Sequence, residues 1–144
     1  MPYIKLVDEA YNNSDAIKNM YNYMTNPVKS NGLTGGYNVI PAYSVQMMRT
    51  VKKLYGKDDG KQLLHIIISL SKKENISEEA MYRISSYIAS FFCDYQVVFS
   101  VHSNTEHIHT HFMINTVSFR DGSRINESEI KCGLEKICAE IFPG

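Results

Sequence analysis

The chain has 144 residues, 44% of them hydrophobic and 21% charged, which fits one domain with an ordinary buried core. Its 15 basic and 15 acidic residues give a formal net charge of zero, which argues against a duplex-DNA binder with a basic footprint. The sequence lacks both a signal peptide and the roughly 18–20 consecutive apolar residues of a membrane span. We therefore expect a soluble, cytoplasmic protein with one domain, residues 1–144.

The amino-terminal part of the chain predicts a strand, a helix and a loop. Residues 3–7 alternate weakly between polar and apolar and predict a short strand. A helix follows Ser14, because apolar residues then recur at helical spacing, and Pro27 ends it. Residues 30–41 contain three glycines and predict a mobile loop.

The middle of the chain predicts two further helices around a central strand. Apolar residues at helical spacing mark a helix over residues 45–54, which the turn at 58–60 follows. Residues 64–68 are short, apolar and rich in β-branched side chains, which is typical of a buried central strand. Ser77 is suited to cap the next helix, because Glu78 and Glu79 then fill its first turn.

The last third of the chain predicts a β-hairpin and a final helix. Residues 95–101 and 107–117 read as strands joined by a short loop, and residues 128–141 as an amphipathic helix. The order β-α-α-β-α-β-β-α predicts an α+β fold with one mainly antiparallel sheet and helices packed against it. The three cysteines, Cys93, Cys132 and Cys138, are expected to be reduced and buried.

Four of the five histidines fall within ten residues of the hairpin, at positions 102, 107, 109 and 111. Side chains at alternate positions of a strand share one face, so His107, His109 and His111 are expected to form a row. Imidazole is the commonest protein ligand for divalent transition metals, and this row therefore predicts a metal site on the sheet.

One ion cannot bind the whole row, because its outer members lie about 13 Å apart along an extended strand. A pair at i and i+2 needs a third histidine from elsewhere, and His102 lies across the hairpin from His109. The predicted metal ligands are therefore His102, His109 and His111. His107 remains at the rim, as a residue that supports the site.

Three segments resemble, in the same order, the motifs of plasmid mobilisation relaxases in the HUH (histidine–hydrophobe–histidine) endonuclease superfamily. The run from His102 to Asn115 is similar to the third motif of these enzymes. The run Tyr23-Met-Thr-Asn-Pro-Val-Lys-Ser is similar to the first, in which a tyrosine on a helix precedes a Thr-Asn-Pro turn. Residues 64–70, with Glu74 shortly after, are similar to the central strand motif. The resemblance extends from about residue 14 to residue 140.

The resemblance implies a metal-dependent endonuclease that nicks one DNA strand at a transfer origin through a 5′-phosphotyrosyl intermediate. Tyr23 matches the nucleophile, and Tyr21 on the same helix is the second candidate. His65 matches a histidine beneath the metal site, and Glu74 is a candidate supporting residue. Lys72 and Lys73 are suited to neutralise DNA phosphates.

One departure from the family pattern concerns Asn104. The family usually has an aspartate two residues after the first histidine, where this chain has Asn104. We expect this change to affect how the first histidine is oriented and any base at that position, without removing a metal ligand. Asn104 is therefore kept as a candidate supporting residue.

The resemblance also implies cofactors and partners. The cation is expected to be Mn²⁺ or Mg²⁺, with Zn²⁺ or Ni²⁺ as substitutes in vitro, because histidine ligands favour the softer ions. Expected partners are single-stranded DNA at the transfer origin, an accessory DNA-binding protein and a coupling protein. The short length predicts either a trimmed chain or a minimal relaxase. The oligomeric state and the sequence of the nick site stay open.

Two other functions fit the histidine cluster. One is a rolling-circle replication or transposition nuclease of the same superfamily, although such enzymes usually place the tyrosine after the histidines. The other is a catalytically silent metal-binding or DNA-binding module, which the neutral net charge and Asn104 leave open.

Overall fold

A computed structural model describes residues 2–143 of the chain. Its strands, in chain order, are β1 (Tyr3–Leu6), β2 (Thr34–Tyr37), β3 (Leu63–Ser69), β4 (Val97–His102) and β5 (His109–Asn115). Its helices are α1 (Ala16–Met24), α2 (Pro27–Ser30), α3 (Ser44–Leu54), α4 (Glu78–Ala89) and α5 (Glu127–Ile141), and a 3-10 turn over Pro41–Tyr43 leads into α3.

The five strands form a single sheet in the order β1-β3-β5-β4-β2, and every neighbouring pair is antiparallel. The predicted α+β fold with one antiparallel sheet is confirmed. β5 lies at the centre because both of its edges are paired, with β3 on one side and β4 on the other. A side chain on β5 is therefore held by hydrogen-bonded backbone on both sides.

The two faces of the sheet carry different cores. One face packs against α4 and α5 through the larger apolar cluster, which includes Phe99, Phe112 and Leu134. The other face packs against α1 and α3 through a smaller cluster that includes Met24, Met48 and Met113. We call this second face the histidine face, because it carries His65, His102, His109 and His111. Alternation along β5 places residues 109, 111, 113 and 115 on it together.

Helix α4 begins as the sequence predicts, whereas α1 begins at Ala16 without a side-chain cap and α5 begins at Glu127. The Ser77 side chain caps α4 by accepting a hydrogen bond from the Ala80 backbone N–H. The Asn126 side chain caps α5 in the same way from Glu129. Both caps satisfy backbone donors that the first turn of a helix would otherwise leave unpaired. Among residues 2–143, no helix has the length and apolar sequence needed to cross a lipid bilayer.

The prediction of a mobile loop over residues 30–41 is wrong, because these residues contain the end of α2 and all of β2. Gly35 and Gly36 lie inside β2, where a side chain has no room. A Cβ atom on Gly35 would collide with the ring of Phe99 and the hydroxyl of Tyr82. These glycines therefore allow close packing of an edge strand and do not mark a loop.

Two further predictions need correction. β5 begins at His109, so His107 belongs to the turn between β4 and β5 and does not extend the histidine row. Of the three cysteines, Cys93 and Cys132 are exposed and only Cys138 is buried. Cys93 lies in the turn after α4, and Cys132 lies on the outer side of α5. Burial raises the pKa of the Cys138 thiol to about 11.

Candidate active site

Three histidines meet where β4 ends and β5 begins. His102 is the direct cross-strand partner of His109, and His111 lies two residues further along the same face. One nitrogen from each ring lies within 4.8 Å of the other two, close enough for all three to hold one metal ion. The ring centroids of His102 and His111 are 4.5 Å apart. These are the three residues that the sequence singled out as ligands.

Each ring of this histidine triad is tied to the protein by one nitrogen. His102 Nε2 donates to the Met24 carbonyl oxygen at 2.7 Å, and His109 Nδ1 donates to the His107 carbonyl oxygen at 3.0 Å. His111 Nδ1 lies 2.8 Å from His65 Nε2. A neutral imidazole has one N–H and one acceptor nitrogen, so each ring keeps one nitrogen for a cation.

His111 shows most directly that a cation fits here. Its Nε2 atom is buried and has no hydrogen-bond partner among the described residues. Buried polar atoms are nearly always paired, so an orphan of this kind calls for an explanation. A divalent metal ion would satisfy a neutral imidazole nitrogen in this position, and the two other histidines could supply further ligands.

Burial favours the neutral form of two of these rings, His102 and His111, and the neutral form is the state that binds metal. Burial, together with the neighbouring His102 and His65, lowers the pKa of His111 to about 2. Burial also lowers the pKa of His102, against an opposing effect of the Met24 carbonyl. Because a protonated imidazole cannot bind a cation, these environments hold ligand nitrogens ready at neutral pH.

Tyr23 lies at the end of α1, beside the triad. Its ring meets His111 edge-on with 5.5 Å between centroids, and lies 6.3 Å from the ring of His102. The Tyr23 side chain is 45% exposed, so a ligand in solvent can reach it. The hydrogen bond from His102 to Met24 fixes the residue that follows Tyr23 in the helix.

The sequence did not single out Lys29, although it lies within the motif that begins at Tyr23. Asn26 caps the short helix α2, and this helix carries Lys29 back over the tyrosine. The Lys29 ammonium lies 4.0 Å from the centroid of the Tyr23 ring. Its charge also contributes to the lowered pKa of His102 and of His111. The site therefore holds a positive charge beside the tyrosine before any metal binds.

Tyr21, the second candidate nucleophile, lies elsewhere. Its side chain is half-buried and packs against the apolar cluster beneath α1. Among the described tyrosines, only Tyr23 and Tyr11 place a ring against a histidine. The structure thus separates the two candidates on α1, which the helical pattern alone left side by side.

His65 lies on β3 beneath the triad and touches His111. The two rings stack with 5.1 Å between centroids. Burial, together with the charge of Lys5, lowers the pKa of His65 to about 4. On its other side, His65 Nδ1 lies 2.8 Å from the hydroxyl of Tyr11, a residue to which the sequence gave no role at the metal site.

Two of the candidate supporting residues lie in the turn between β4 and β5. Asn104 is exposed there and makes none of the hydrogen bonds that hold the triad rings. His107 contributes its backbone carbonyl, which accepts hydrogen bonds from Thr105 and His109. Any support from His107 thus acts on the ring of His109 through the backbone.

The remaining candidates lie in the turn after β3. The Glu74 carboxylate accepts hydrogen bonds from the Ser71 side chain and backbone, which lower its pKa. The Lys72 ammonium forms an exposed ion pair with Glu106 at 2.8 Å. Lys73 is exposed. None of the three belongs to the cluster around the triad, so their predicted roles stay predictions.

Comparison with known proteins agrees with this geometry. Residues 11–142 match the family described as "Relaxase: MobA/VirD2-like, nuclease domain". The chain is also similar to curated Staphylococcus aureus proteins named "Protein rlx". One is 24% identical over 102 residues, which are 67% of this chain and 31% of the relative. Another is 27% identical over 111 residues, which are 73% of this chain and 34% of the relative.

The chain therefore spans about a third of the length of the curated relatives it matches. The matched family segment begins at Tyr11 and ends at Phe142, so it contains all the strands except β1 and every residue of the triad. No solved structure gives a significant match.

Proposed function

Because this chain belongs to the MobA/VirD2-like relaxase nuclease-domain family, we propose that it nicks one DNA strand at a transfer origin, with Tyr23 as the nucleophile. The family and the rlx-named relatives indicate a DNA-nicking enzyme. They favour a relaxase over a rolling-circle replication or transposition nuclease. The nucleophile, the cation and the role in mobilising a plasmid or integrative element are the parts that we propose.

The observation that carries the proposal is the contact between Tyr23 and His111. The half-exposed ring of Tyr23 lies 5.5 Å from a buried ring whose Nε2 has no partner. A phosphate held between them would touch the tyrosine on one side and a histidine-bound cation on the other. Tyr21 has no such neighbour among the described residues and is therefore the weaker candidate.

The reaction is a phosphodiester exchange that conserves the number of ester bonds. The Tyr23 oxygen bonds to the scissile phosphorus, and the bond from phosphorus to the 3′ oxygen breaks. The products are a 5′-phosphotyrosyl link and a free 3′-hydroxyl. The phenol loses one proton and the 3′ oxygen gains one, so the exchange needs no redox partner. The covalent link retains the bond energy for a later rejoining of the strand.

A neutral phenol is a weak nucleophile, and the surrounding residues address this in two ways. His102, His109 and His111 would hold the cation, which polarises a phosphate oxygen and stabilises the charge of the transition state. Lys29 places a permanent positive charge near the Tyr23 ring. That charge favours approach of the phosphate and development of negative charge on the phenol oxygen.

We propose Mn²⁺ or Mg²⁺ as the cation in the cell. Three imidazole ligands suit Mn²⁺, Zn²⁺ or Ni²⁺ better than Mg²⁺, which prefers oxygen ligands. Water molecules and a phosphate oxygen would complete the coordination in either case. The order of affinity for these ions would therefore show how far the three histidines dominate binding: tighter binding of Zn²⁺, Ni²⁺ and Mn²⁺ than of Mg²⁺ is expected if they do.

A groove beside Tyr23 offers a place for the DNA strand. Its volume is about 340 Å³, and its lining includes Tyr11, Asn12, Asn13, Asn19 and Tyr23. Aromatic rings stack on unpaired bases, and asparagine amides hydrogen-bond to base edges. Lys72 and Lys73 are exposed in the turn after β3, and we propose that they contact phosphates further along the strand.

The proposal includes a single nicking domain, because the described residues share one sheet with both apolar clusters packed against it. It also includes an accessory DNA-binding protein and a coupling protein as partners. The neutral net charge makes help with DNA recognition reasonable, since phosphate contacts supply most of the affinity for DNA.

The decisive experiment uses labelled single-stranded oligonucleotides that tile the transfer origin of the element encoding this chain. Incubation with Mn²⁺ should yield a covalent protein–DNA adduct that survives denaturing electrophoresis. Tyr23→Phe should reduce the rate of adduct formation by about 10³-fold or more, because the attacking oxygen is lost. Tyr21→Phe is the matched control on the same helix and should keep the rate within about threefold.

Three results would count against this assignment. An adduct that persists in Tyr23→Phe and disappears in Tyr21→Phe would move the nucleophile. An adduct that forms at full rate in EDTA would remove the cation from the mechanism. If wild type bound Mn²⁺ and single-stranded origin DNA yet formed no adduct, the chain would be a catalytically silent module.

A further inference from the structure

A line of hydrogen-bonded side chains leads away from the triad into the protein. It starts at His111, whose Nδ1 lies 2.8 Å from Nε2 of His65. It continues from Nδ1 of His65 to the hydroxyl of Tyr11, again at 2.8 Å. Both nitrogens of His65 are therefore occupied, although this histidine lies in a strand whose neighbours are apolar.

Chemistry fixes the direction of these hydrogen bonds once His111 binds a cation through Nε2. The ring of His111 is then protonated at Nδ1 and donates to His65. His65 accepts at Nε2, so its own proton is on Nδ1 and is donated to the oxygen of Tyr11. The hydroxyl of Tyr11 accepts that bond and keeps its own proton for a further partner.

An acid lies near Tyr11. Burial, and then the negative charge of the nearby Glu9 carboxylate, raise the pKa of Tyr11 to about 12. The hydroxyl thus stays protonated at neutral pH. A carboxylate at the far end of such a line increases the basicity of the imidazole at the near end.

The backbone at Tyr11 is held in an unfavourable conformation. Its φ angle is +45°, in the left-handed region that residues with a bulky side chain rarely adopt. The Gln62 backbone N–H donates to the Tyr11 carbonyl at 2.8 Å and fixes this conformation. Strained backbone of this kind persists only where the surroundings determine it, and it is commoner at functional sites.

We propose that Tyr11 and His65 are positioning residues for the metal ligand His111. They hold its ring in the tautomer and orientation that direct Nε2 toward the cation. The inference rests on the proposed function, because it requires that the triad binds metal. It also explains why the chain can have Asn104 where the family usually has an aspartate. The proposed support for His111 comes from β3 and the loop before α1, and not from the turn in which Asn104 is exposed.

The proposal can be tested by metal binding, without DNA or catalysis. Isothermal titration with Mn²⁺ would measure the Kd of wild type and of three variants. His65→Leu removes both hydrogen bonds and should raise the Kd by about 10- to 100-fold. His65→Gln keeps an acceptor oxygen near His111 and should stay within about fivefold of wild type. Tyr11→Phe removes one hydroxyl and should raise the Kd by about three- to tenfold.

A control separates positioning from general stability. Tyr55→Phe also deletes a hydroxyl that is hydrogen-bonded, in that case to the Phe119 carbonyl at 3.1 Å, away from the triad. It should leave the Kd unchanged. The absorption spectrum of bound Co²⁺ adds a second readout, because it reports the geometry of the ligands. It should change in His65→Leu and in Tyr11→Phe, but not in Tyr55→Phe.

The outcomes distinguish this inference from the function on which it rests. If wild type binds Mn²⁺ and folded His65→Leu binds it equally, with the same Co²⁺ spectrum, the inference is overturned and the metal site remains. If wild type binds no metal, the metal site itself fails. Should His65→Leu not fold, Tyr11→Phe decides, because it keeps the aromatic ring; an unchanged Kd and spectrum there would overturn the proposal.

Discussion

The two ends of β5 place buried polar side chains on the same face of the sheet, but these side chains differ in their hydrogen-bond partners. At the carboxyl end, Asn115 donates to the Met48 carbonyl and to the Gln96 side chain, and accepts from the Val117 backbone N–H. At the amino end, His111 has one bonded nitrogen and one buried nitrogen without a partner among residues 2–143.

This difference separates a structural polar residue from one prepared for a ligand. Asn115 has partners within the protein for both its donor and its acceptor, so it gains nothing from an external group. His111 is paired only on the side away from Tyr23. Burial of a polar side chain is thus no sign of function by itself; the atom left without a partner is the informative one.

The largest effect should come from removing the unpaired nitrogen. His111→Ala should raise the Kd for Mn²⁺ by about 10³-fold or more, because one of the three proposed ligands is lost. The measurement is isothermal titration of the folded variant. His107→Ala is the control in the adjacent turn and should change the Kd by less than about threefold. Equal losses from both changes would contradict the triad.

Asn115→Ala should lower the stability of the protein and leave its affinity for metal unchanged. It leaves the Met48 carbonyl, the Gln96 side chain and the Val117 N–H without their buried partner, and should lower the free energy of unfolding by about 3 kcal/mol. Urea unfolding of the metal-free protein would measure this loss. The Kd of the folded variant for Mn²⁺ should stay near that of wild type. If Asn115→Ala lost metal affinity without losing stability, Asn115 would not be the purely structural residue that we infer.

Acid should destabilise the histidine end. The native pKa values of His65, about 4, and of His111, about 2, lie below the ordinary value near 6.5. Between these values the unfolded chain binds more protons, so stability is full above pH 6.5 and falls as the pH decreases toward 4. One such histidine costs about 2 kcal/mol at pH 5.

Urea unfolding of metal-free protein at pH 7.5, 6 and 5 would show this slope. His65→Gln should make it shallower, because a titrating group is removed while an acceptor for His111 is kept. A slope that is identical in wild type and in the variant would mean that His65 does not titrate as its burial indicates.

A comparable pH effect, at alkaline instead of acid pH, concerns the end of the sheet beyond Asn115. Lys52 is buried on α3, donates to the Thr116 hydroxyl at 3.2 Å, and has its pKa lowered to about 8 by burial and by the charge of Arg124. The unfolded chain binds more protons between pH 8 and 10.5, so wild type should gain stability across that range. Lys52→Met should abolish this gain.

At pH 7, Lys52→Met should stabilise the protein by about 1 kcal/mol, since it replaces a buried ammonium by an apolar side chain of similar length. Thermal unfolding at pH 7 and pH 9.5 would measure both effects. A strong destabilisation at pH 7 would show that the ammonium is held by more than the Thr116 hydroxyl.

The sequence predicts the central part of the molecule well, because local patterns determine it. The sequence predicts strands over residues 107–117 and 64–68, and the structure has β5 and β3 within or around these ranges. The spacing of His102, His109 and His111 predicts a triad that the structure brings together. These features depend only on the period of a strand and on a short hairpin.

The errors and omissions concern features that depend on distant contacts. Glycine in β2 indicates a loop unless the ring of Phe99, more than sixty residues away, is known to fill the space. Lys29 reaches Tyr23 only because α2 turns the chain back. The hydrogen bond from Tyr11 to His65 joins residues from a loop and a strand, and no local period records it.

The hydrogen bond from His102 to the Met24 carbonyl connects the proposed metal site to the end of helix α1. The last carbonyls of a helix lack partners within the helix, and its final turn tends to fray. Here the ring of a proposed metal ligand caps α1 one residue after Tyr23. Loading of the cation would therefore also order the end of that helix. Metal binding would then also restrict the position of Tyr23, the proposed nucleophile. Amide hydrogen exchange at the last turn of α1 would measure this effect.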